Sequence, residues 1–312
     1  MCGLYGFLNY SGKEINNLSD LTNSLAEQSA IRGTDATGIA FVNSGGINIL
    51  KDSKSAYRMD FKHSDKICAT IGHTRHSTQG TEKKNYNNHP FSCKCKNSKF
   101  ALAHNGVLCN DKELRKSFKL RKTKVETDSY IAVQLIESKQ ELSFDSIKYM
   151  AEKVEGSFSF SILDDKNNIW LVKGDSPLSI LHFPKLKMYV FASTDEILYK
   201  SLVDFPLLFK SLKSGEFEEV RISEGEILKI RSDGILERKT FEYSYYYGRG
   251  WWDYGSFSSI GLGNYSRKEY IDDLKSIASY QGYSPEDVDN LVDAGFSFEE
   301  IEDYIYCCGG EI

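Results

Sequence analysis

The 312-residue sequence has no apolar run near the ~18 residues that a membrane-spanning helix needs, so no span is expected. It has no charged leader followed by an apolar stretch at its start, so a secretory signal is not expected and a cytoplasmic location is. It has no surplus of positive charge: 39 Lys and Arg stand against 44 Asp and Glu, a formal net charge of −5. A general nucleic-acid-binding face wants the opposite balance, so neither nucleic acid nor membrane is an expected partner. It also lacks a disulfide pattern. The seven cysteines (Cys2, Cys68, Cys93, Cys95, Cys109, Cys307, Cys308) are odd in number and irregular in spacing, which fits a reducing compartment. Cys93-Lys94-Cys95 has no second pair and no His at zinc-site spacing, so it reads as loop cysteines and no metal is expected. No internal repeat is evident. With 40% hydrophobic and 27% charged residues, what remains is an ordinary globular chain. Its length suits one large domain, alone or with a small appendage.

Apolar patterning places short strands at Leu4–Asn9, Ile39–Val42, Ile47–Leu50, Ile67–Ile71 and Phe100–Ala103. Further strands follow at Ser157–Leu163, Ile169–Lys173, Ser179–His182, Met188–Ala192, Glu219–Ile222, Glu226–Ile230 and Ile235–Lys239. Helical spacing appears over Leu18–Ile31, with Ser19 or Asp20 as caps, over Asp111–Phe118, after Glu126-Thr127-Asp128, and over Ser143–Val154. Thr194 and Asp195 cap a brief helix toward Leu198. Strands dominate and two helical groups interleave with them, which is a sandwich pattern rather than alternating βαβ units. Near Thr240 the composition shifts to a Tyr-, Trp- and Gly-rich stretch without a clean period, read as a linker over 238–265. Residues 266–312 are helical again. Ser284-Pro285-Glu286-Asp287 and Phe296-Ser297-Phe298-Glu299 each mark a helix start in a small acidic bundle.

The chemistry begins at Met1-Cys2-Gly3. If Met1 is removed, Cys2 carries a thiol and a free α-amine on one carbon, a nucleophile with its own base. Polar, glycine-bounded segments follow the strand-like runs: Arg32-Gly33-Thr34-Asp35-Ala36-Thr37-Gly38, Gly72-His73-Thr74-Arg75-His76-Ser77-Thr78-Gln79-Gly80, Asn88-His89-Pro90, His104-Asn105-Gly106 and Glu126-Thr127-Asp128. In this order, and at roughly this spacing, they resemble the class II glutamine amidotransferase domain, the N-terminal-nucleophile glutaminase. The resemblance covers about residues 2–237.

That resemblance implies an α+β fold, a four-layer αββα sandwich, with 2–237 as the glutaminase domain and 266–312 as a helical tail that could dock a partner. It implies hydrolysis of the L-glutamine side-chain amide through a γ-glutamyl thioester on Cys2, with ammonia released to a separate acceptor enzyme. Asn105 and Gly106 would form the oxyanion hole. Arg75 would meet the substrate α-carboxylate, which a planar guanidinium fork suits, and Thr78 would assist there. Asp128 would meet the α-ammonium, and His89 would order the loop around the site. His73 and His104 are expected to be structural, and Arg32 and Asp35 to shape a loop. No cofactor is implied. In the glucosamine-6-phosphate synthase branch of the family the arginine motif continues Trp-Ala-Thr-His-Gly; here it is His76-Ser77-Thr78-Gln79-Gly80, which argues against a sugar-phosphate link. The residues after 240 leave no room for a synthase domain of the usual kinds, so the acceptor is expected elsewhere. Two other readings stay open: hydrolysis of another γ-glutamyl amide or peptide, and a non-catalytic scaffold on the same fold.

Overall fold

In the computed structural model, residues 2–64, 66–96 and 98–243 are described, together with 283–296 and scattered helical positions from 271 to 305. The chain divides into two compact units, Met1–Tyr243 and Ser244–Ile312.

The first unit runs β1 (Gly3–Asn9), α1 (Leu18–Ser29), β2 (Ala36–Asn43), β3 (Gly46–Asp52), β4 (Ala69–Arg75), β5 (Phe91–Lys94) and β6 (Lys99–Leu108). Then come α2 (Asp111–Ser117), α3 (Tyr130–Ser138), α4 (Phe144–Ala151), β7 (Gly156–Asp164), β8 (Ile169–Lys173), β9 (Ser179–Phe183) and β10 (Met188–Ala192). It closes with α5 (Asp195–Val203), α6 (Pro206–Lys213), β11 (Glu218–Glu219), β12 (Glu226–Ile230) and β13 (Leu236–Thr240). Two antiparallel sheets result, ordered β11-β9-β10-β1-β4-β2-β3 and β13-β12-β8-β7-β6-β5.

The pleat explains why so many strands are apolar on both faces. Alternate side chains point to opposite sides of a strand. On β1, Tyr5 and Phe7 pack outward with Leu21 and Leu25 of α1 and Leu198 of α5, while Leu8 enters a middle layer with Ile71, Leu171 and Phe191. In the second sheet Phe158, Phe160, Trp170 and Val172 pack outward with Ile131 and Leu135 of α3 and with Ile147 and Met150 of α4. Leu163, Ile169 and Leu171 of the same strands join the middle layer. Helices thus cover the outer face of each sheet and the sheets cover each other: a four-layer αββα sandwich, as the resemblance implies.

Helix ends follow local chemistry. Ser143 and Ser146 form a capping box at α4, and Thr194 accepts from the Ile197 N–H at α5. At α1 neither Ser19 nor Asp20 is the cap. The helix starts at Leu18 after Asn17 in the left-handed region, and the Ser19 hydroxyl donates to the His63 carbonyl at 3.0 Å instead. α6 and β5 have no counterpart in the sequence reading, and β11 is only Glu218–Glu219 where Glu219–Ile222 was expected. The last strand also passes residue 237. β13 continues to Thr240, and Phe241 and Tyr243 pack against the outer core beside Phe158.

In the second unit, α7 (Pro285–Asp293) starts at Ser284, which forms a capping box with Asp287. Leu274, Ala278, Val288, Ile301 and Ile305 make a small apolar core of its own. The aromatic stretch from 244 and the Ser297 cap lie outside the described residues. Among the described residues no helix is long and apolar enough to cross a membrane.

Candidate active site

At one end of the sandwich the middle layer turns polar, and strand parity says which residues turn with it. Leu8, Ala40, Ile71 and Ala101 lie in the apolar middle layer. Counting in twos along the same strands leads from Leu8 to Cys2, from Ile71 to His73 and Arg75, and from Ala101 to Asn105. Register then aligns them. Gly3 pairs with Thr74 and Leu4 with His73, so Cys2 enters β1 beside the end of β4, where Arg75 faces Ala36 of β2. His73 Nε2 lies 2.9 Å from the His104 carbonyl oxygen and donates to it, a direct bond from one sheet to the other. The segments 72–75 and 104–106, read as polar loops from the sequence, are therefore continuous strand. Parity alternates their side chains: His73, Arg75 and Asn105 lie between the sheets, whereas Thr74 donates to the Ser29 carbonyl of α1 and His104 faces Ser129 and Phe160 on the helix side.

Cys2 is buried, with its thiol 3.6 Å from the His76 carbonyl oxygen. Burial raises its pKa, opposed by the positive chain terminus and by Arg75, while the charge of Asp128 adds to the rise. Those fields place Arg75 and Asp128 within electrostatic reach of the sulfur. Arg32, fully buried, donates from Nε to the Cys2 carbonyl at 2.9 Å and anchors the N-terminal residue from its backbone. Burial lowers the Arg32 pKa to about 10.

Arg75 is buried too, and protein groups hold it tightly. Nη1 donates to Asn88 Oδ1 at 2.8 Å, and Nη2 donates to the Gln79 and Gly80 carbonyls at 2.7 and 2.6 Å. A guanidinium has five N–H groups. With both Nη2 protons committed, neither parallel pair of donors remains whole; one Nη1–H and the Nε–H are left. The open fork expected from the sequence is therefore not available. Asp35 pins the turn that follows, accepting from the Ser77 N–H at 2.7 Å and donating its own N–H to the Arg75 carbonyl at 3.0 Å. Gly33 lets the two segments touch: a Cβ there would stand 2.4 Å from the Arg75 carbonyl carbon.

Asn105 is fully buried, and neither its amide nitrogen nor its oxygen has a hydrogen-bond partner. Next to it, Gly106 has φ +133°, and a Cβ would meet the Ser157 oxygen at 2.1 Å, so only glycine fits. Gly106 faces Phe158 in register, but Phe158 accepts from the Gly174 N–H and donates to Asp175. In that alternation the Gly106 N–H points away from β7, toward the side where β5 has already ended at its Phe91–Leu102 pairing.

Asp128 precedes α3, is buried, and accepts from the Leu108 N–H at 2.7 Å. Thr78 is exposed. His89 is buried with both ring nitrogens unpartnered, between the rings of His73 (4.1 Å) and Phe91 (4.3 Å), and a cis peptide joins it to Pro90. The segment that carries it is held by Lys51, whose ammonium donates to the Asn88 and Pro90 carbonyls. Burial lowers the Lys51 pKa to about 8. Lys51 escaped the sequence reading, and Asn88, part of the Asn88-His89-Pro90 motif, was given no role there. A lone lysine on a strand carries no signal of its own, and Asn88 looked like loop punctuation. Among the described residues no group of three or more His, Cys, Asp or Glu is placed to hold a metal.

Three buried rings at this end of the sandwich make an acid-sensitive core. Burial, the leading cause in each case, lowers the pKa of His104 and holds those of His73 and His89 well below 6.5. The unfolded chain takes up these protons as pH falls through about 6.5, and the folded chain does not. Stability from this source is therefore complete above that pH and is lost below it. Each ring that stays neutral in the folded chain contributes up to about 1.4 kcal/mol per pH unit to that loss. Urea midpoints measured in steps from about pH 7.5 to 5.5 should fall accordingly. A flat profile would mean that the rings are charged in the folded chain.

A family model described as "Glutamine amidotransferase domain" matches residues 73–200. Glutamine–fructose-6-phosphate aminotransferase (isomerizing) of Staphylococcus epidermidis is 34% identical over 190 residues, covering 58% of this chain and 30% of that enzyme. The enzyme of the same name from Staphylococcus aureus is 33% identical over 191 residues, covering 57% of this chain and 30% of its own length. The matched part thus spans under a third of these curated relatives. Among solved structures, glutamine phosphoribosylpyrophosphate amidotransferase from B. subtilis superposes with a TM-score of 0.60 at 22% identity, covering 78% of this chain and 50% of that one. A second, described as the allosteric regulatory enzyme of purine biosynthesis, gives 0.60 at 21% with the same coverage. At such identity these two support the fold alone.

Proposed function

We propose that this chain, which carries a class II glutamine amidotransferase domain of the N-terminal-nucleophile kind, hydrolyses the side-chain amide of L-glutamine and releases ammonia to a separate acceptor enzyme. The observation that carries the reading is Asn105: a buried amide with no partner for either polar atom. Leaving such a group unpaired costs about 1–3 kcal/mol. A donor kept available for an oxyanion accounts for that cost.

In this reading the burial that raises the Cys2 pKa keeps the sulfur a thiol at rest, so attack needs a base. Once Met1 is gone, the Cys2 α-amine, with an ordinary pKa near about 7.7–8.0, takes the thiol proton. The sulfur attacks the amide carbon. The resulting oxyanion is held by the Asn105 side-chain N–H and the Gly106 backbone N–H. The α-ammonium returns the proton to the leaving nitrogen, the C–N bond breaks and ammonia departs. Water then cleaves the thioester to give glutamate. Arg75 meets the substrate carboxylate through its charge and its two uncommitted N–H groups rather than through a parallel fork, and Thr78 assists. Asp128 meets the ammonium. His89, wedged between two rings, orders the loop that supplies Asn88 to Arg75. The unit from 244 onward, with an apolar core of its own, is the docking element for the acceptor.

Comparing kcat/KM for L-glutamine with that for γ-glutamyl dipeptides tests the substrate. Glutamine is expected to lead by at least about tenfold, since a site that fits a bare amide has no room made for a second residue. Dipeptides turning over faster would make the chain a γ-glutamyl peptide hydrolase with the same nucleophile.

A further inference from the structure

We propose that His104 is a positioning residue that aims Asn105, held in place by Ser129 from one side and by His73 from the other; the inference rests on the glutaminase reading above. Because the Asn105 amide has no partner of its own, nothing bonded to that side chain sets its direction. Its aim comes from its backbone and from packing, and His104 is the residue before it.

Ser129 gives the first sign. It stands at the start of α3, where a serine ordinarily accepts a hydrogen bond from a backbone N–H of the first turn. Here it makes no such bond; its backbone is helical, with φ −52°. Its buried hydroxyl is turned instead to His104 Nδ1 at 2.8 Å, with Asp128 Oδ1 at 3.3 Å. The other ring nitrogen, Nε2, lies 3.3 Å from the Ser157 carbonyl oxygen. A carbonyl can only accept, so Nε2 carries the proton, and burial, which lowers the His104 pKa, keeps the ring to one. Nδ1 is then an acceptor and takes the single Ser129 proton. Asp128 Oδ1, at 3.3 Å, is the longer and weaker acceptor for that hydroxyl. The ring face rests on Phe160, with centroids 4.7 Å apart.

The backbone of His104 is held as firmly as its ring. Its carbonyl accepts the His73 Nε2–H at 2.9 Å, and that carbonyl shares one rigid peptide plane with the Asn105 nitrogen. His73 lies two residues before Arg75 on β4, and Ser129 follows Asp128. One buried chain of bonds therefore joins the segments bearing Arg75, Asn105 and Asp128, and His104 is its centre.

Steady-state kinetics on L-glutamine with Ser129→Ala and Ser129→Thr tests this. A displaced oxyanion donor weakens the transition state and not ground-state binding. Ser129→Ala is expected to lower kcat about tenfold with KM within about twofold, and Ser129→Thr, which keeps the hydroxyl, to restore most of it. His73→Gln, whose amide N–H can replace the Nε2 donor, should stay close to the parent, whereas His73→Leu should show the same kcat-specific loss. Unchanged kcat in Ser129→Ala, or a raised KM with kcat intact, would overturn the assignment, the latter pointing to an action through Asp128. A parent chain that hydrolyses no glutamine would overturn the glutaminase reading and this one together. An active parent with a fully active Ser129→Ala overturns the positioning role alone.

Discussion

Cys2→Ala is expected to abolish glutamine hydrolysis while leaving the fold in place. The change removes one sulfur, whose one close polar contact among the described residues is the His76 carbonyl at 3.6 Å. The Arg32 bond to Cys2 is made to the backbone oxygen and survives the substitution. The stability cost should therefore be on the order of 1 kcal/mol, small enough for urea unfolding to report a folded chain. Activity behaves differently, because no other described group offers a nucleophile with an amine on the same carbon. The variant should release no ammonia above background and take no label from a glutamine-analogue electrophile, whereas the parent gains one adduct by intact mass. The same spectrum reports Met1. An active chain that keeps Met1 would contradict the α-amine as base, and an active Cys2→Ala would remove the thioester from the mechanism.

Asn105→Ala separates catalysis from stability in a way that few buried substitutions do. Losing one oxyanion donor is expected to lower kcat by about 10²–10³. The usual price of deleting a buried amide is the partner left behind, and Asn105 has none. The variant should therefore be close to the parent in urea unfolding, or slightly more stable, since a desolvated and unsatisfied amide is gone. A kcat loss without a stability loss is the signature of a group kept for the transition state. If Asn105→Ala instead unfolded several molar units of urea earlier with kcat unchanged, the amide would be a structural element.

Several parts of this molecule are legible in its residues. The strands Ser157–Leu163, Ile169–Lys173 and Met188–Ala192 announce themselves as short alternating or apolar runs, and strands lie over all three. Caps at Ser143, Thr194 and Ser284 are local devices, made within four residues of chain, and the residues themselves suffice to find them. α6 is harder. Pro206 opens it, but four apolar residues among eight, between two polar turns, make a weak period. The polar segments misled most. His73, Thr74, Arg75, His104 and Asn105 look like loop because polar residues with glycine neighbours usually face water. They are strand because they are covered: a second sheet lies over His73, Arg75 and Asn105, and the helix layers lie over Thr74 and His104.

The sequence by itself determined which motifs the chain holds: a thiol at position 2, and polar motifs in the order of an N-terminal-nucleophile glutaminase. It determined also that two buried faces were needed, since runs such as Ile169–Val172 and Met188–Phe191 leave no face for water. Only the tertiary structure decided what those motifs do to each other. It turned loops into strands, closed the Arg75 fork on Gln79 and Gly80, left Asn105 without a partner, and tied His73, His104 and Ser129 into one chain of bonds. The reason is range. A cap or a strand period is an interaction among neighbours in sequence, whereas Ser129 and His104 are 25 residues apart and His73 and His104 are 31 apart. Their meeting depends on register and pleat in two sheets at once, and no local pattern carries that.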